Sequence, residues 1–127
     1  MKKEKSHIET SMKKATIEML LLKLLSEQDM YGYQLSQELK KRSSEQYTIL
    51  EGSMYPILYR LTDNHQISFY EKKVGKRLTR LYYHLEPEGE SYLQKQQELF
   101  AEQTALINFL LNSTEGDTYE KDNNWTW

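Results

Sequence analysis

Apolar and polar positions in the first third of the chain predict two helices. The stretch Met12–Ser26 is apolar on more sides than a surface helix would be, so we predict a helix that is buried or shared with a partner chain. The stretch Tyr31–Arg42 places Leu35 and Leu39 four positions apart among polar residues, which is typical of a helix with one apolar face. Gly32 lies at its start, where a missing side chain suits the close approach of another helix.

A third helix is predicted from about Glu51 to about His65. Its core stripe follows the helical spacing i, i+3, i+4 and i+7 and consists of Met54, Ile57, Leu58 and Leu61. Serine is a favoured N-cap residue, so we expect Ser53 to cap this helix. Pro56 then falls in the first turn, where the missing N–H of proline is not needed.

Two segments with strand character follow the third helix. Alternation of apolar and polar residues predicts strands over Ile67–Lys73 and Thr79–Leu85. The residues that join them include Gly75, which is free to take a positive φ. We therefore predict a β-hairpin, and its turn and flanks are rich in lysine and arginine.

The last predicted element is a long helix that begins with Pro87 at its first position and runs to about Leu111. Apolar pairs recur along it every seven residues, at Tyr92/Leu93, Leu99/Phe100 and Leu106/Ile107. No later element is left to cover this seam, so it predicts a partner helix from a second subunit. Residues 113–127 lack periodicity, and we predict that they form a disordered tail.

This order of elements predicts a mainly α fold with a small β-hairpin. Three helices, two strands and a final helix form the order of a winged helix-turn-helix with an N-terminal helix and a long C-terminal dimerisation helix. We therefore predict a DNA-binding domain over residues 1–86, a dimerisation helix over residues 87–112 and the tail over residues 113–127.

Charge is unevenly distributed along the chain, although the net charge is only −2. Residues 1–85 contain 15 Lys/Arg against 10 Asp/Glu, a net charge of +5, whereas residues 86–127 contain 2 against 9, a net charge of −7. A basic N-terminal part and an acidic C-terminal part give an electric field that orients a protein on a polyanion such as DNA. Alternatively, the acidic C-terminal part is simply a solvated helix and tail.

Composition and motifs exclude several classes of protein. The chain has no cysteine, which excludes disulfides and thiolate metal sites and suits the cytoplasm as the expected location. The apolar run Ala15–Leu25 is too short to span a membrane, and we predict neither a signal peptide nor a membrane span. His7, His65 and His84 lack metal-ligand spacing, and there is no phosphate loop or nucleophile elbow. We therefore predict no enzyme activity, no cofactor and no metal.

Four segments of the chain, in order, resemble the PadR family of transcriptional regulators. They are Leu24–Ser26, Met30–Tyr33, Gly52–Leu61 and Arg80–Leu85, with Gly89 after them. The pattern Gly-Ser-x-Tyr-Pro-x-Leu-x-Arg-Leu in the third segment is the most specific of them, and the likeness runs from about Ile17 to Tyr92. Family members often carry Lys where this chain has Leu81 and Thr where it has Glu86, and many have a longer wing.

The resemblance implies a function for the chain. It implies a regulator that binds duplex DNA at a palindromic operator as a homodimer, with repression as the family default. The single C-terminal helix is similar to the smaller branch of the family, which dimerises through that helix and the first one. Relatives often respond to flat aromatic compounds, so a small aromatic or phenolic effector is expected. The alternative is a winged helix that serves as a protein-interaction module without DNA binding.

The predicted DNA contacts lie on the third helix, on the hairpin and at the start of the first helix. A recognition helix reads base edges in the major groove with side chains that face away from its core, and cations of a wing contact phosphates. The predicted residues are Ser53, Tyr55, Pro56, Tyr59, Arg60, Lys72, Lys73, Lys76, Arg77, Arg80, Lys13 and Lys14. Alternatively, Tyr55 and Pro56 only fix the entry of the helix, and the hairpin cations protect a strand edge.

Dimer and effector residues are expected on the first and last helices. The predicted dimerisation residues are Ile17, Leu21, Leu93, Leu99, Phe100, Leu106, Ile107 and Leu110. The candidate effector residues are Met12, Ile17, Tyr92 and Phe100, with Phe109 as a further one, since an aromatic cavity at a dimer interface is a suitable receptor. For each of them, ordinary dimer packing is the alternative.

Overall fold

The computed structural model describes residues 2–121, with side chains from His7 onward, and over that range it contains four helices and a three-stranded sheet. In chain order, the elements are α1 (Lys2–Leu25), β1 (Met30–Tyr31), α2 (Gly32–Arg42), α3 (Glu51–Asp63), β2 (Ile67–Lys73), β3 (Thr79–Leu85) and α4 (Pro87–Asn112). This architecture confirms the predicted fold class, a mainly α winged helix with a small hairpin.

The hairpin formed by β2 and β3 is confirmed at both strands. The two strands are antiparallel and in register from Ile67 opposite Leu85 to Lys73 opposite Thr79. Only the base of the hairpin packs against the helices: Ile67 and Tyr83 are buried, whereas β2 is exposed from Phe69 onward. The turn differs from the prediction, since Gly75 does not take a positive φ. The connection from residue 74 to residue 78 is longer than the two-residue turns that require such a glycine.

A two-residue strand, β1, is not predicted by the sequence pattern. Met30 pairs with Tyr83 and Tyr31 pairs with Tyr82, so the sheet has the order β1-β3-β2. Two residues are too few to show the alternation by which a strand is recognised. The pairing nevertheless matters, because α2 begins at Gly32 directly after β1 and is thereby held beside the middle of β3.

The core forms where α1, α2, α3 and the inner face of the sheet meet. Its fully buried members are Leu21, Leu22, Met30, Leu35, Met54, Leu58, Leu61, Ile67 and Tyr83. The predicted stripe of α3 is therefore buried, with Ile57 only partly covered. The C-terminal half of α1 is buried within its own chain, as its dense apolar pattern predicts.

One helix cap and one helix start differ from the sequence prediction. α3 begins at Glu51, as predicted, but its N-cap residue is Leu50, which makes no side-chain cap hydrogen bond, so the expected Ser53 cap is wrong. An acidic residue in the first turn favours this start because it interacts with the positive end of the helix dipole. Pro56 consequently lies beyond the first turn, where its ring removes a helical hydrogen bond. α1 begins at Lys2, well before the predicted start.

The start of α4 is fixed to the sheet by a close approach. A Cβ on Gly89 would lie 2.0 Å from the carbonyl oxygen of Gln66 and 2.6 Å from a methyl carbon of Leu85. The N–H of Glu86 also donates to the carbonyl of Gln66 at 3.0 Å. Only glycine fits this contact without a shift of the backbone, and Pro87 begins the helix as predicted.

The chain divides into two compact units, one ending at Gln94 and the other beginning at Lys95, and α4 continues from the first into the second. Within the second unit, the rings of Phe109 and Tyr119 lie 5.4 Å apart. The predicted disordered tail falls partly on residues 122–127, which lie outside the described residues, so its disorder stays a prediction.

Candidate nucleic-acid interface

α3 presents an outward face between two flanks. Met54, Leu58 and Leu61 hold the helix to the core, so side chains on the opposite side are exposed. Pro56 and Tyr59 lie on this outward face, and the side chain of Tyr59 is 61% exposed. The helix is therefore held rigidly while its far side is open to a partner.

One flank of α3 encloses a cavity of about 340 Å³ against the sheet and the start of α2. Its lining consists of Tyr31, Gly32, Tyr33, Tyr55, Tyr59, Arg80, Leu81 and Tyr83, and we call it the tyrosine pocket. Tyr33 and Tyr59 are 56% and 61% exposed, so the pocket is open to solvent. Tyr83 is 2% exposed and closes the pocket toward the core.

Gly32 lets Tyr55 approach the start of α2. A Cβ at this position would lie 2.4 Å from the hydroxyl oxygen of Tyr55 and 2.9 Å from its Cζ. No real side chain tolerates such distances, so the glycine predicted to permit a close approach does so for a tyrosine of α3. The Tyr-Gly-Tyr sequence at residues 31–33 therefore contributes two rings and the gap between them.

Two tyrosine hydroxyls of the pocket hold their protons more firmly than an exposed tyrosine. Burial raises the pKa of Tyr83 to about 12, and the nearby Tyr55 and Tyr59 add to the effect. Burial also raises the pKa of Tyr55, with smaller contributions from Glu51 and Tyr59. A protonated phenol is a hydrogen-bond donor, so the pocket offers donors to a ligand.

The other flank of α3 faces α1 across an open groove of about 1390 Å³. Its lining includes Lys13, Lys14, Ile17, Ile49, Leu50, Ser53, Pro56, Ile57 and Arg60. Lys13 is already engaged there, since it pairs with Glu9 at 3.6 Å, donates to the carbonyl of Gln46 and lies over the ring of Tyr47. This groove brings together five of the predicted DNA-contact residues, two from α1 and three from α3.

Glu18 links three helices beside the groove. Its carboxylate accepts a hydrogen bond from Arg60 of α3 at 2.6 Å and another from the hydroxyl of Tyr92 of α4 at 2.9 Å. The side chain of Glu18 is only 18% exposed, whereas that of Arg60 is 56% exposed. The guanidinium of Arg60 is therefore held toward α1 rather than being free to extend outward.

The hairpin carries the remaining predicted cations. The guanidinium of Arg80 lies over the ring of Tyr31 at 4.3 Å, and the ammonium of Lys72 lies over the ring of Tyr82 at 5.1 Å. Such cation–π contacts orient the side chains without neutralising their charge. The other three, Lys73, Lys76 and Arg77, are exposed along the end of β2 and in the turn.

The solvent-facing side of the sheet is tied together by Asp29. The hydroxyl of Tyr70 donates to Asp29 at 2.7 Å, and Nδ1 of His84 lies 2.8 Å from the other carboxylate oxygen. Although partial burial opposes it, these two hydrogen bonds lower the pKa of Asp29. The ring of Tyr70 also stacks on Tyr82 with centroids 5.8 Å apart. These contacts stiffen the base of the hairpin.

The predicted DNA-contact residues thus fall into three groups. Tyr55, Tyr59 and Arg80 meet at the tyrosine pocket. Ser53, Pro56, Arg60, Lys13 and Lys14 line the groove. Lys72, Lys73, Lys76 and Arg77 belong to the hairpin and line neither cavity. Sequence reasoning missed Glu18 and Tyr83 as site residues because each acts with residues distant in the chain. Tyr31, Tyr33 and Tyr83 belong to segments that carried the family resemblance, which was the available signal.

The predicted dimerisation residues are of two kinds. Leu21 and Leu93 are buried within a single chain, and Ile17 is partly covered, so these three already have partners in the core. The other five predicted dimerisation residues lie in the second unit. Leu106 is partly covered there, and the four exposed ones are Leu99, Phe100, Ile107 and Leu110.

The candidate effector residues differ in their surroundings. Met12 is exposed on α1 and Phe100 is exposed on α4. Ile17 lines the groove between α1 and α3. Tyr92 is partly buried and donates to Glu18. Phe109 contacts Tyr119 within the second unit.

Neither a metal site nor a membrane span emerges from the described residues. Between residues 2 and 121, no three histidine, aspartate or glutamate side chains are grouped so that they could hold an ion. In the same range, no helix combines the length and the apolar character that crossing a membrane requires.

Comparison with known proteins identifies the family. The sequence pattern of the Transcriptional regulator PadR-like family matches residues 21–95, more than half of the chain. The chain belongs to the PadR-like family. This match includes β1, α2, α3 and the hairpin, so all of the tyrosine pocket lies within the family region.

Solved structures of PadR-like regulators are similar to this chain. A transcriptional regulator from Clostridium thermocellum is 32% identical, with a TM-score of 0.69 over 73% of this chain and 90% of that one. A PadR-like regulator from Bacillus cereus is 29% identical, with a TM-score of 0.68 over 82% and 99%. A PadR family regulator from Eggerthella lenta is 22% identical but reaches a TM-score of 0.81 over 89% and 96%, which supports the shared fold.

Membership of the PadR-like family establishes the general role of the chain. It is a DNA-binding regulator of transcription, and the family consists of regulators rather than enzymes. The sequence resemblance and the winged helix fold are both confirmed by these comparisons.

Proposed function

We propose that this chain binds a palindromic duplex operator as a homodimer, with α3 in the major groove and the hairpin beside it. The observation that carries the proposal is the exposed outward face of α3, where Pro56 and Tyr59 are free of core packing. A helix reads sequence by placing such side chains on base edges, whereas phosphate contacts fix its position. Lys76 and Arg77 in the exposed turn supply cations for phosphates of the flanking groove.

The second part of the proposal is that α1 and the distal half of α4 form the dimer interface. In the second unit, exposed apolar side chains of α4 share one side of the helix, and a monomer rarely leaves such a row uncovered. These residues are Leu99, Phe100, Ile107 and Leu110. Two-fold pairing would place two copies of α3 about 34 Å apart, one helical turn of DNA.

The third part of the proposal is that DNA binding represses transcription and is released by a small aromatic effector. Hydrogen bonds support a route for release, because Tyr92, a candidate effector residue, contacts Glu18, which in turn holds Arg60 of α3. A ligand that displaces Tyr92 would alter the position of Arg60. Since transcription takes place at the bacterial chromosome, this role also supports the predicted cytoplasmic location.

The experiment that tests the function is selection of duplexes from a random pool by the purified protein, followed by fluorescence anisotropy on the winning sequence. A palindromic consensus is expected. If a dimer neutralises roughly eight phosphates, log affinity should fall against log salt concentration with a slope of about −7. Arg77→Ala should weaken binding to all sequences and reduce the slope by about one per protomer. Equal affinity for every duplex, or none at low salt, would contradict the proposal.

Dimerisation has its own test. Leu110→Asp places a charge within the apolar row of α4 and should convert the dimer into a monomer in light-scattering measurements. Asn108→Asp places the same charge on the opposite side of the helix and should leave the dimer intact, since residues two apart do not share a helix face. A monomeric wild-type protein at the concentrations that bind DNA would contradict the dimer.

A further inference from the structure

The floor of the tyrosine pocket contains an unpaired hydroxyl. Tyr83 is 2% exposed, and its ring packs edge-on against Phe69 with centroids 6.3 Å apart. Buried tyrosine hydroxyls usually have a hydrogen-bond partner. Between residues 7 and 121, no side chain or backbone group supplies one for Tyr83. Its hydroxyl is not among the fully buried polar atoms of these residues, so it is accessible from the pocket that Tyr83 lines and is available to a ligand.

Other donors face the same space. Tyr55 and Tyr59 line the pocket, and within the described part of the chain neither hydroxyl has a hydrogen-bond partner. Tyr83 lines the same pocket, and the rings of Tyr55 and Tyr59 lie 6.4 Å apart. Two of the three tyrosines belong to α3 and the third to β3.

The start of α2 adds backbone donors to this cluster. Its N-cap residue Tyr31 makes no side-chain cap hydrogen bond, and no acidic residue lies in its first turn. The first N–H groups of a helix have no partner within the helix, and they favour an anion. Gly32 and Tyr33, the first two residues of α2, both line the pocket.

Arg80 gives the pocket a positive charge. Its guanidinium is held over Tyr31 at 4.3 Å and lines the pocket. Glu51, in the first turn of α3, influences Tyr55 from outside the pocket lining. Converging donors beside one cation match a ligand with several acceptor oxygens and a negative charge, which is the chemistry of a phosphate group.

We propose that the tyrosine pocket binds one phosphate group of the DNA backbone, with the hydroxyl of Tyr83 as its deepest donor and Tyr55, Tyr59 and Arg80 around it. This inference rests on the proposed function, because the favoured source of the phosphate is bound duplex. The pocket opens beside Tyr59 on the outward side of α3, the side that DNA would approach. Free inorganic phosphate shares the same chemistry and is the other source to be tested.

The first experiment compares two conservative variants on the selected operator. Tyr83→Phe removes only the hydroxyl and should weaken operator binding about tenfold per pocket, the usual effect of losing a hydrogen bond to a charged group. The same variant should not melt below the wild type, because in the free protein this hydroxyl makes no hydrogen bond with the described residues that its removal could break. Tyr82→Phe, the next residue on the opposite side of the sheet, is the matched control and should change affinity much less, because it keeps the ring over which Lys72 lies.

A loss of affinity without a fall in melting temperature distinguishes binding from a structural role. A hydroxyl that only supports the fold would lower both the melting temperature and the affinity when removed. Tyr83→Phe with wild-type affinity for the operator would overturn the proposal, while the proposed function would stand because the wild-type protein still binds.

The second experiment identifies the phosphate. Methylphosphonate substitution at single positions of the operator makes one phosphate neutral at a time. One position in each half-site should weaken wild-type binding about tenfold yet have little further effect on Tyr83→Phe, because both changes remove the same contact. Additive effects at every position would overturn the assignment to DNA.

A third arm tests free phosphate. Inorganic phosphate is added to the DNA-free protein at constant ionic strength, with sulfate and chloride as comparison anions, while the tyrosine ring signals are followed by NMR. Shifts of Tyr83 with phosphate but no methylphosphonate effect would support a free ligand and overturn the DNA source. No response in any arm would overturn the pocket as an anion site. Failure of the wild-type protein to bind any duplex would instead overturn the proposed function.

Discussion

The two flanks of α3 differ in whether their polar side chains are hydrogen-bonded within the chain. On the flank that faces α1, Arg60 and Tyr92 are both bonded to the carboxylate of Glu18. On the flank that faces the sheet, the hydroxyls of Tyr55 and Tyr83 have no hydrogen-bond partner among the described residues. On the α1 flank, these groups already bond to other residues of the chain, whereas on the sheet flank the tyrosine hydroxyls are available to a ligand. We infer that the first flank positions α3 and that the second binds.

The largest difference between the flanks should appear in operator affinity when one side chain on each flank is truncated to alanine. Tyr59→Ala should weaken operator binding about 30-fold, as truncating an anchoring tyrosine in an interface does. Its melting temperature should stay near wild type, because Tyr59 is exposed. Arg60→Ala should weaken binding less, since its guanidinium is held by Glu18. Fluorescence anisotropy measures both, and a larger loss for Arg60→Ala would reverse the comparison.

The next effect concerns the gap that admits Tyr55 to the pocket. Gly32→Ala places a Cβ 2.4 Å from the hydroxyl of Tyr55 and must displace that ring. Overpacking of this kind costs about 1–3 kcal/mol of stability, and we expect operator affinity to fall about tenfold as the pocket loses a donor.

Gly52→Ala is the matched control, because it lies in the first turn of α3 and its added Cβ meets nothing within 4 Å. It should stabilise the helix by about 0.5–1 kcal/mol. Thermal melting separates the two variants. Equal melting temperatures would show that Tyr55 yields without strain.

On the flank that faces α1, we expect a smaller effect on operator affinity, and a gain rather than a loss. Glu18→Gln removes the charge that holds Arg60 at 2.6 Å, so the guanidinium is free to reach DNA. Operator affinity should rise about threefold, a modest change because Arg60 is half exposed and the pair is screened. Glu9→Gln removes the same charge elsewhere on α1 and should have a smaller effect. A loss of affinity in Glu18→Gln would mean that the ion pair positions Arg60 productively.

The smallest effect is the pH dependence of stability that Tyr83 contributes. Burial raises the pKa of Tyr83 to about 12, above its ordinary value of 10.0. Below pH 10 both folded and unfolded chains keep this proton, so its contribution to stability is complete. Between pH 10 and pH 12 the unfolded chain loses the proton first, and stability falls by about 1 kcal/mol at pH 11. Because the pKa values of Tyr55 and Tyr70 are also raised, part of the loss should remain in every variant. Denaturant unfolding at pH 9 and pH 11 should show a smaller loss in Tyr83→Phe than in the wild type and in Tyr82→Phe.

Local patterns were sufficient to predict most of the fold. The stripe of α3, the two strands of the hairpin and the start of α4 at Pro87 each follow from periodicity or from the chemistry of proline, which act over a few residues. β1 escaped prediction because its two residues become a strand only by pairing with β3. The N-cap of α3 was misplaced because a favourable residue type, Ser53, is not the residue at which the chain enters the helix.

The candidate site was predictable only in part. Tyr55 and Tyr59 follow from the outward side of α3, which one helix determines. The pocket itself requires α2, α3 and β3 to meet. The strand pattern marks Tyr83 only as apolar and does not show that its hydroxyl is available to a ligand. The contact between Glu18 and Arg60 joins residues 42 positions apart, which no local pattern reveals.

The most direct test of the two flanks is an NMR titration of protein labelled on its tyrosine rings with the selected operator duplex. The account predicts that the signals of Tyr55, Tyr59 and Tyr83 shift on binding, whereas that of Tyr70, on the opposite side of the sheet and bonded to Asp29, stays in place. Shifts at Tyr70 with no change at the three pocket tyrosines would contradict it.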